Sequence, residues 1–504
     1  LSLTFCALGH ELATDIGYPG STDPLRQTWW NRAAAHNTVV VDGQNQAQSL
    51  GELEAFAVNP RFRLVQARCG NAYPLLQDYR RTLALIGDAP RCLVDVFHVV
   101  GGQTHDFCFH GQSEPELPQE KFVAEGVRLS PLPNPSATLL DLTPGAQPKT
   151  MGYDFVSALQ RGTAPGPWQA EWRMGDERDV RLRLWRLPAE REEVFLGQAS
   201  GHRVYPGLAK VDLGKKMNWL CCRSAGPAPW RSAFVSVVEA HAGETSQIRG
   251  VRRVAVQAPV ECDAVAVVVE HADGSDLVVV SRAAGQVRVP DLGVELDGRI
   301  AAVSFDRARK PTHALLLDGA ALTVGDVRVV AKSPSIAGKF AGLPQGVSEA
   351  PLVIDVEARV PDAALGAVLT LRHTNGTGSA WTVQKVEQGG PGRTRLWLDR
   401  SGREAVGLVG AIGEDGRTLL ANSGFHQFEE QMRALFYNGA WLMVEGQQRR
   451  LESVALHGRG DPYLWEAKVS APFNQPASLR GKPFIVTRVA EGDAFRIPSV
   501  TTWP

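Results

Sequence analysis

The chain has 504 residues, 44% of them apolar, and its 53 Lys and Arg nearly balance 54 Asp and Glu for a net charge of -1. That length asks for two or three hydrophobic cores, and that charge excludes a basic field for nucleic acid or a polybasic membrane anchor. The longest apolar runs, such as AVAVVV at 264–269, are strand-sized and too short for a membrane span.

The opening LSLTFCALG lacks the charged flank and small-residue cleavage site of a signal peptide. It reads as a strand already in progress, so the start of the protein is expected to lie upstream. ELATDIGYPGSTDP then places Asp15 at a strand end, before a loop through Gly17, Pro19 and Gly20. Trp29 and Trp30 follow in a loop segment beside Arg26 and Arg32. Indole faces stack on sugar rings and guanidinium forks hold carboxylates, a mixture suited to a uronic-acid cleft. The plainer reading is that at least one of the two indoles anchors the loop in the core.

The segment AAAHNTVVVDGQNQ, residues 33–46, sets His36 and Asn37 at the mouth of a Val39–Val41 strand that closes on Asp42-Gly43. Antiparallel neighbours can bring the Asp15 carboxylate and the His36 imidazole together; an Asp capping a turn beside a hydrogen-bonded His is the commoner arrangement for such spacing. Both are zinc-compatible, but zinc takes at least three protein ligands even at an open site. His10 is a candidate third ligand; an exposed hairpin histidine is the alternative. RRTLALI (80–86) and RCLVDVFHVV (91–100) read as strands joined at Gly87-Asp88-Ala89-Pro90. Alternation turns one of Arg80 and Arg81 inward, where it needs an acid such as Asp95 or an anionic ligand. In HDFCFH, residues 105–110, the two histidines fall on opposite strand faces. One is expected to face a cleft or solvent and the other to be hydrogen-bonded in place.

Further along, AVAVVVEH and DLVVVSR flank Ala272-Asp273-Gly274-Ser275, and LTLRH and AWTVQKV flank a turn containing Asn375-Gly376. Both are hairpin signals, because these residues tolerate the positive φ of tight turns. Helical periodicity is rare; QFEEQMRALF (427–436) is its nearest instance. Seven cysteines without a C-x-x-C pair read as buried free thiols, with Cys221 and Cys222 on opposite strand faces. The expected fold is all-β: a large antiparallel sandwich over 1–332, a Gly/Pro/Ser-rich linker over 333–350, and a smaller accessory sandwich over 351–504.

AAAHNTVVVDGQNQ closely resembles the signature of the heparinase II/III family of polysaccharide lyases. So do LSLTFCALGHELATDIGYPG and QDYRRTLALIGDAPRCLVDVFHVVGGQTHDF, in family order, with MNWLCCRSAG and AFVSVVEAHAG extending the likeness over roughly two-thirds of the chain. Members of that family pair an N-terminal α/α toroid with a β-sandwich and hold their cleft between the two. The resemblance implies β-elimination at a uronate, a uronic-acid polysaccharide as partner, and a periplasmic or extracellular setting. It implies zinc beside the cleft, with Asp15 and His36 as two of its ligands. The family's His-any-His-any-Asp-Lys segment, its toroid and the toroid's catalytic tyrosine have no counterpart in this chain, so no catalytic residue carries over. Tyr18, Trp30 and Arg32 are the expected substrate contacts, and Asp15, Tyr18, Trp29, Trp30 and Arg32 are expected to form an exposed seam facing the toroid. The alternative is a non-catalytic carbohydrate-binding or scaffolding sandwich.

Overall fold

The structure, a computed structural model, describes residues 1–16, 25–87, 92–111, 123–134, 136–143, 152–174, 177–189, 192–201, 216–342, 347, 351–374, 376–457 and 462–504. It divides into two compact units. The first comprises Leu1–Ala47, Ala57–Val330 and Thr501–Pro504, the second Gln48–Phe56 and Ala331–Val500. Both are antiparallel β, as the alternating, β-branched sequence demands.

The first unit is a stack of sheets. One runs, in hydrogen-bonded order, through Arg128–Pro131, Ser157–Ala164, Glu192–Ser200, Lys216–Ala225, Thr104–His110 and Val39–Val41. The next passes through Phe62–Arg68, Leu76–Ile86, Cys92–Gly101, Arg231–Ala242, Val180–Arg186, Trp168–Arg173 and Val123–Glu125. A third is built from Ile248–Val254, Val265–His271, Gly274–Val289, Val294–Asp306, Pro311–Val324 and Val327–Val330. All ten residues of Cys92–Gly101 are buried. Such a strand has no solvent face, which makes its sheet the middle layer and explains the near-continuous apolar run CLVDVFHVV.

Tyr79, Phe97, Phe107, Phe109, Trp172, Leu220 and Cys222 pack between the first two sheets. On the other face of the first sheet, Trp29, Trp30, Ala33–Ala35, Tyr153, Trp219 and Cys221 form a separate core. The strand Lys216–Ala225 thus feeds one core with Cys221 and the other with Cys222, as strand alternation requires. All seven cysteines are free; six are buried and Cys6 is exposed.

The turn at Ala272-Asp273 joins Val265–His271 to Gly274–Val289 with His271 opposite Gly274. The expected turn at Gly87–Pro90 falls largely outside the described residues, as does Asn375. The single α-helix among the described residues, Glu430–Tyr437, overlaps the periodic segment at 427–436 and runs one residue past it. In the second unit six strands close into a barrel around Leu352, Ile354, Trp381, Leu396 and Phe495, beside a seven-stranded sheet. The linker expected over 333–350 needs correcting. Ile336–Gly342 is a barrel strand paired with Ala494–Ile497, because Ile336 and Phe340 alternate inward through a segment whose Gly and Ser content suggested a coil. Residues 343–346 and 348–350 are outside the described set.

Candidate functional site around Asp15 and His36

Asp15 follows the strand His10–Ala13, and His36 closes the 3-10 turn Ala33–Ala35 in an extended conformation. Their side chains meet: His36 Nδ1 is 3.8 Å from Asp15 Oδ2, with the imidazole about a quarter exposed and the carboxylate about half. The other ring nitrogen, Nε2, is 3.0 Å from the Trp30 carbonyl. A carbonyl only accepts, so Nε2 carries the hydrogen and Nδ1 of the neutral ring is an acceptor. Nδ1 is buried and makes no hydrogen bond. Burial lowers the His36 pKa, with the Asp15 charge working against it. Two acceptors therefore face each other across a gap that two bonds of zinc–ligand length, about 2.0–2.2 Å each, would span. The carbonyl held by Nε2–H is the arrangement that orients a metal-binding imidazole. This pair fits part of a zinc site. Among the described residues, however, no three or more His, Cys, Asp and Glu side chains gather as a metal-holding group. His10 sits in the hairpin formed by Phe5–Ala7 and His10–Ala13 and does not complete such a group.

Asn37 is the residue that assembles this corner. Its fully buried amide donates to the carbonyls of Leu3 at 3.1 Å and Thr14 at 3.5 Å, and its Oδ1 accepts the His110 backbone N–H at 2.7 Å. One side chain thereby ties the segment ahead of the first strand, the residue before Asp15 and the strand Thr104–His110 together next to His36. Arg81 braces it from beneath. It forms a two-pronged ion pair with Asp95 at 2.9 and 2.6 Å, and its remaining nitrogen donates to the carbonyls of Leu1 at 2.8 Å and Asn37 at 2.7 Å. Asp95 is thus the acid that the inward arginine required. Arg80 is buried too, bonded to the Arg282 carbonyl and 3.5 Å from Asp78.

The strand Val39–Val41 pairs with Thr104–His110, so Asp42-Gly43 is a turn without being a hairpin turn. Both residues have positive φ, and the Asp42 carboxylate accepts the backbone N–H groups of Gln103 and Thr104. The hydroxyls of Tyr73 and Tyr79 both donate to the Val39 carbonyl, at 3.0 and 2.6 Å.

Several expectations are overturned here. His105 and His110 are both fully buried, so neither faces a cleft or solvent. His105 bonds Ser232 and the Gly101 carbonyl, and His110 donates from Nε2 to the Ala35 carbonyl. Burial pushes the His110 pKa down to about 4. The exposed aromatic seam is also absent at the two indoles, and Trp30 offers no face for substrate: Trp29 is 0% and Trp30 2% exposed. The reason is local. Arg26–Trp30 is a π-helical turn that folds back onto the sheet, and the Trp29 indole N–H finds the Ser200 carbonyl at 2.6 Å, removing the usual cost of burying tryptophan. Tyr18 lies outside the described residues. Arg32 is half-buried, and its buried Nε makes no hydrogen bond among the described residues. Burial lowers its pKa. Spacing alone gave no signal for Asn37 as the organiser of the corner.

No helix among the described residues is long and apolar enough to cross a membrane. Comparison with known proteins yields no match among curated sequences. Among solved structures, a heparan sulfate lyase HepC mutant from Pedobacter heparinus is similar at 12% identity and a TM-score of 0.37, covering 55% of this chain and 36% of that one. A heparinase III structure is similar at 12% identity and a TM-score of 0.36, covering 54% and 34%. This chain thus spans about a third of their length, and likeness at that level carries no weight. The sequence model of the family described as heparinase II/III-like, C-terminal, matches residues 1–143, a shorter stretch than the resemblance suggested. That stretch holds Asp15, Arg32, His36, Asn37, Arg81 and Asp95, and with it the chain carries a heparinase II/III-like C-terminal region.

Proposed function

We propose that this chain is part of a polysaccharide lyase acting on uronic-acid-containing polymer by β-elimination, in the periplasm or outside the cell. The observation that carries the reading is the facing pair of acceptors, His36 Nδ1 and Asp15 Oδ2, within a segment matched by the family model. Asp15 and His36 are proposed as two ligands of a zinc ion beside the cleft. Bound there, the ion would order the corner and supply positive charge.

In such an elimination a base removes the proton on C5 of the uronate. The electron pair left behind forms the C4–C5 double bond as the bond from C4 to the glycosidic oxygen breaks, and an acid protonates that oxygen. C5 becomes acidic enough only when its carboxylate is neutralised, which stabilises the enolate-like transition state. Arg32 is the residue proposed to do this from the present chain, and Tyr18 is proposed as a further substrate contact. The base and acid are proposed to come from an α/α toroid partner domain.

The test uses the polypeptide of the complete reading frame, incubated with alginate, heparin and heparan sulfate and followed by the absorbance of unsaturated uronates. One of these polymers should be cleaved, and D15A and H36A should each lower zinc content measured by elemental analysis. Undiminished zinc in the D15A/H36A double variant would remove the ligand assignment. Binding of a uronan with no cleavage of any would favour a carbohydrate-binding module instead.

A further inference from the structure

The first unit has a second concave site, remote from Asp15 and His36. The strand Thr104–His110 has His110 at one end, beside Asn37, while at its other end His105 and Thr104 pair with Ser224 and Ala225. At about 3.4 Å per residue the two ends are about 20 Å apart. Ser224 and Ala225 line a cavity of about 600 Å³, with Trp230, Arg231, Arg253 and Asp263 among its other walls. This volume falls within the range of small-ligand sites.

The charges around the cavity divide into two groups. Arg223 is satisfied by a two-pronged pair with Asp106 at 2.7 and 2.8 Å, Glu192 by Arg186 at 2.5 Å, and Glu193 by Arg161 at 2.7 Å. Arg253 and Asp263 feel each other's charge, yet each keeps a buried atom open. The buried Arg253 Nη1 and the buried Asp263 Oδ2 make no hydrogen bond among the described residues. Buried charged atoms left in this state are costly unless something else completes them. Arg231, exposed at the cavity wall, adds a second positive charge without a partner among the described residues.

Trp230 is held in a fixed pose beside them. Its backbone N–H donates to the Gly102 carbonyl at 2.9 Å and its indole N–H to Ser224 Oγ at 3.0 Å. One side of the ring lies so close to Gly226 that a Cβ there would come within 2.1 Å of ring carbon Cε3. An indole, two guanidinium groups and a carboxylate with a free acceptor atom together match a sugar ring that carries an acidic group.

We propose that this cavity binds an acidic saccharide unit: its carboxylate or sulfate on Arg253 and Arg231, a ring hydroxyl on Asp263, and its ring face on Trp230. Binding here is separate from the Asp15–His36 corner, so D15A/H36A should leave it unchanged whether or not the lyase reading holds.

Calorimetric titration of the 504-residue chain with D-glucuronate, D-glucose 6-sulfate and D-glucose tests this. At least one acidic sugar should bind, glucose at least about tenfold more weakly, and R253M and D263N should each weaken the acidic sugar by about tenfold or more, as loss of a hydrogen bond to a charged group does. The preferred acid distinguishes a carboxylate site from a sulfate site. The proposal is overturned if neither acidic sugar gives saturable heat, or if R253M and D263N bind as wild type does.

Discussion

Replacing Asp95 with Asn isolates the ion pair on which the Asn37 corner rests. Asp95 is 1% exposed and Arg81 4%, and the pair is made through two short hydrogen bonds. Removing one charge leaves the other buried and uncompensated, which costs about 3–5 kcal/mol. R81M should cost at least as much, since it strands Asp95 and also takes a donor from the carbonyls of Leu1 and Asn37. The Asn37 carbonyl keeps one other donor, the Leu3 N–H at 3.1 Å. The double variant R81M/D95L removes both charges together. It should be less destabilised than either single variant, with a residual cost of about 1–3 kcal/mol for the weakened carbonyls. Urea unfolding followed by tryptophan fluorescence reads this as the midpoint of the first unit's transition. If the double variant loses as much stability as the two single variants summed, the charges are not coupled and the account of Arg81 is wrong.

Asn37→Ala should destabilise by about 1–3 kcal/mol and lower zinc content as well, because it frees Leu3, Thr14 and His110 together; elemental analysis alongside urea unfolding measures both, and unchanged values would show that Asn37 organises nothing. Trp30→Ala should behave as a core truncation, costing about 3–5 kcal/mol, whereas an indole that only stacked on sugar would unfold like wild type. Burial raises the Glu171 pKa, but His241 at 3.6 Å, hydrogen bonds from Arg183 and the charges of Arg183 and Arg181 outweigh it and hold the carboxyl at about 2, below its ordinary 4.5. The unfolded chain then takes up the proton first, so this contribution is complete above pH 4.5 and is lost as pH falls toward 2. E171Q should be less stable at neutral pH and show a flatter acid limb in melting temperature, and parallel pH profiles would refute the shift.

The strands were legible because both alternation and continuous apolar runs leave marks in sequence. CLVDVFHVV could be read as a strand, though its burial on both faces depends on a third sheet whose strands lie beyond residue 248. The partnership of Arg81 with Asp95 was also legible, since neighbouring antiparallel strands place such residues together. Burial of both indoles was not. It depends on a π-helical turn and on a carbonyl at Ser200, 171 residues from Trp29, and neither leaves a periodic signal. The 3.8 Å meeting of Asp15 and His36 was an inference from family resemblance, for ligand types alone could not select that pair from the chain's other acids and histidines. Asn37 escaped notice because a buried amide serving three separate segments looks, in sequence, like any polar residue before a strand.

Cys221 and Cys222 share a peptide bond but belong to different cores, and burial raises both thiols well above their ordinary pKa. Neither will react with a thiol reagent until its own side of the sheet opens. Cys221 is uncovered when the segment bearing Trp29 and Trp30 lifts away, Cys222 only when two sheets separate. Mass spectrometry of one short peptide, sampled over time in dilute urea, would therefore time two different openings with a single pair of natural labels. Faster modification at Cys221 would show that the covering segment next to His36 moves while the sandwich beneath it stays closed.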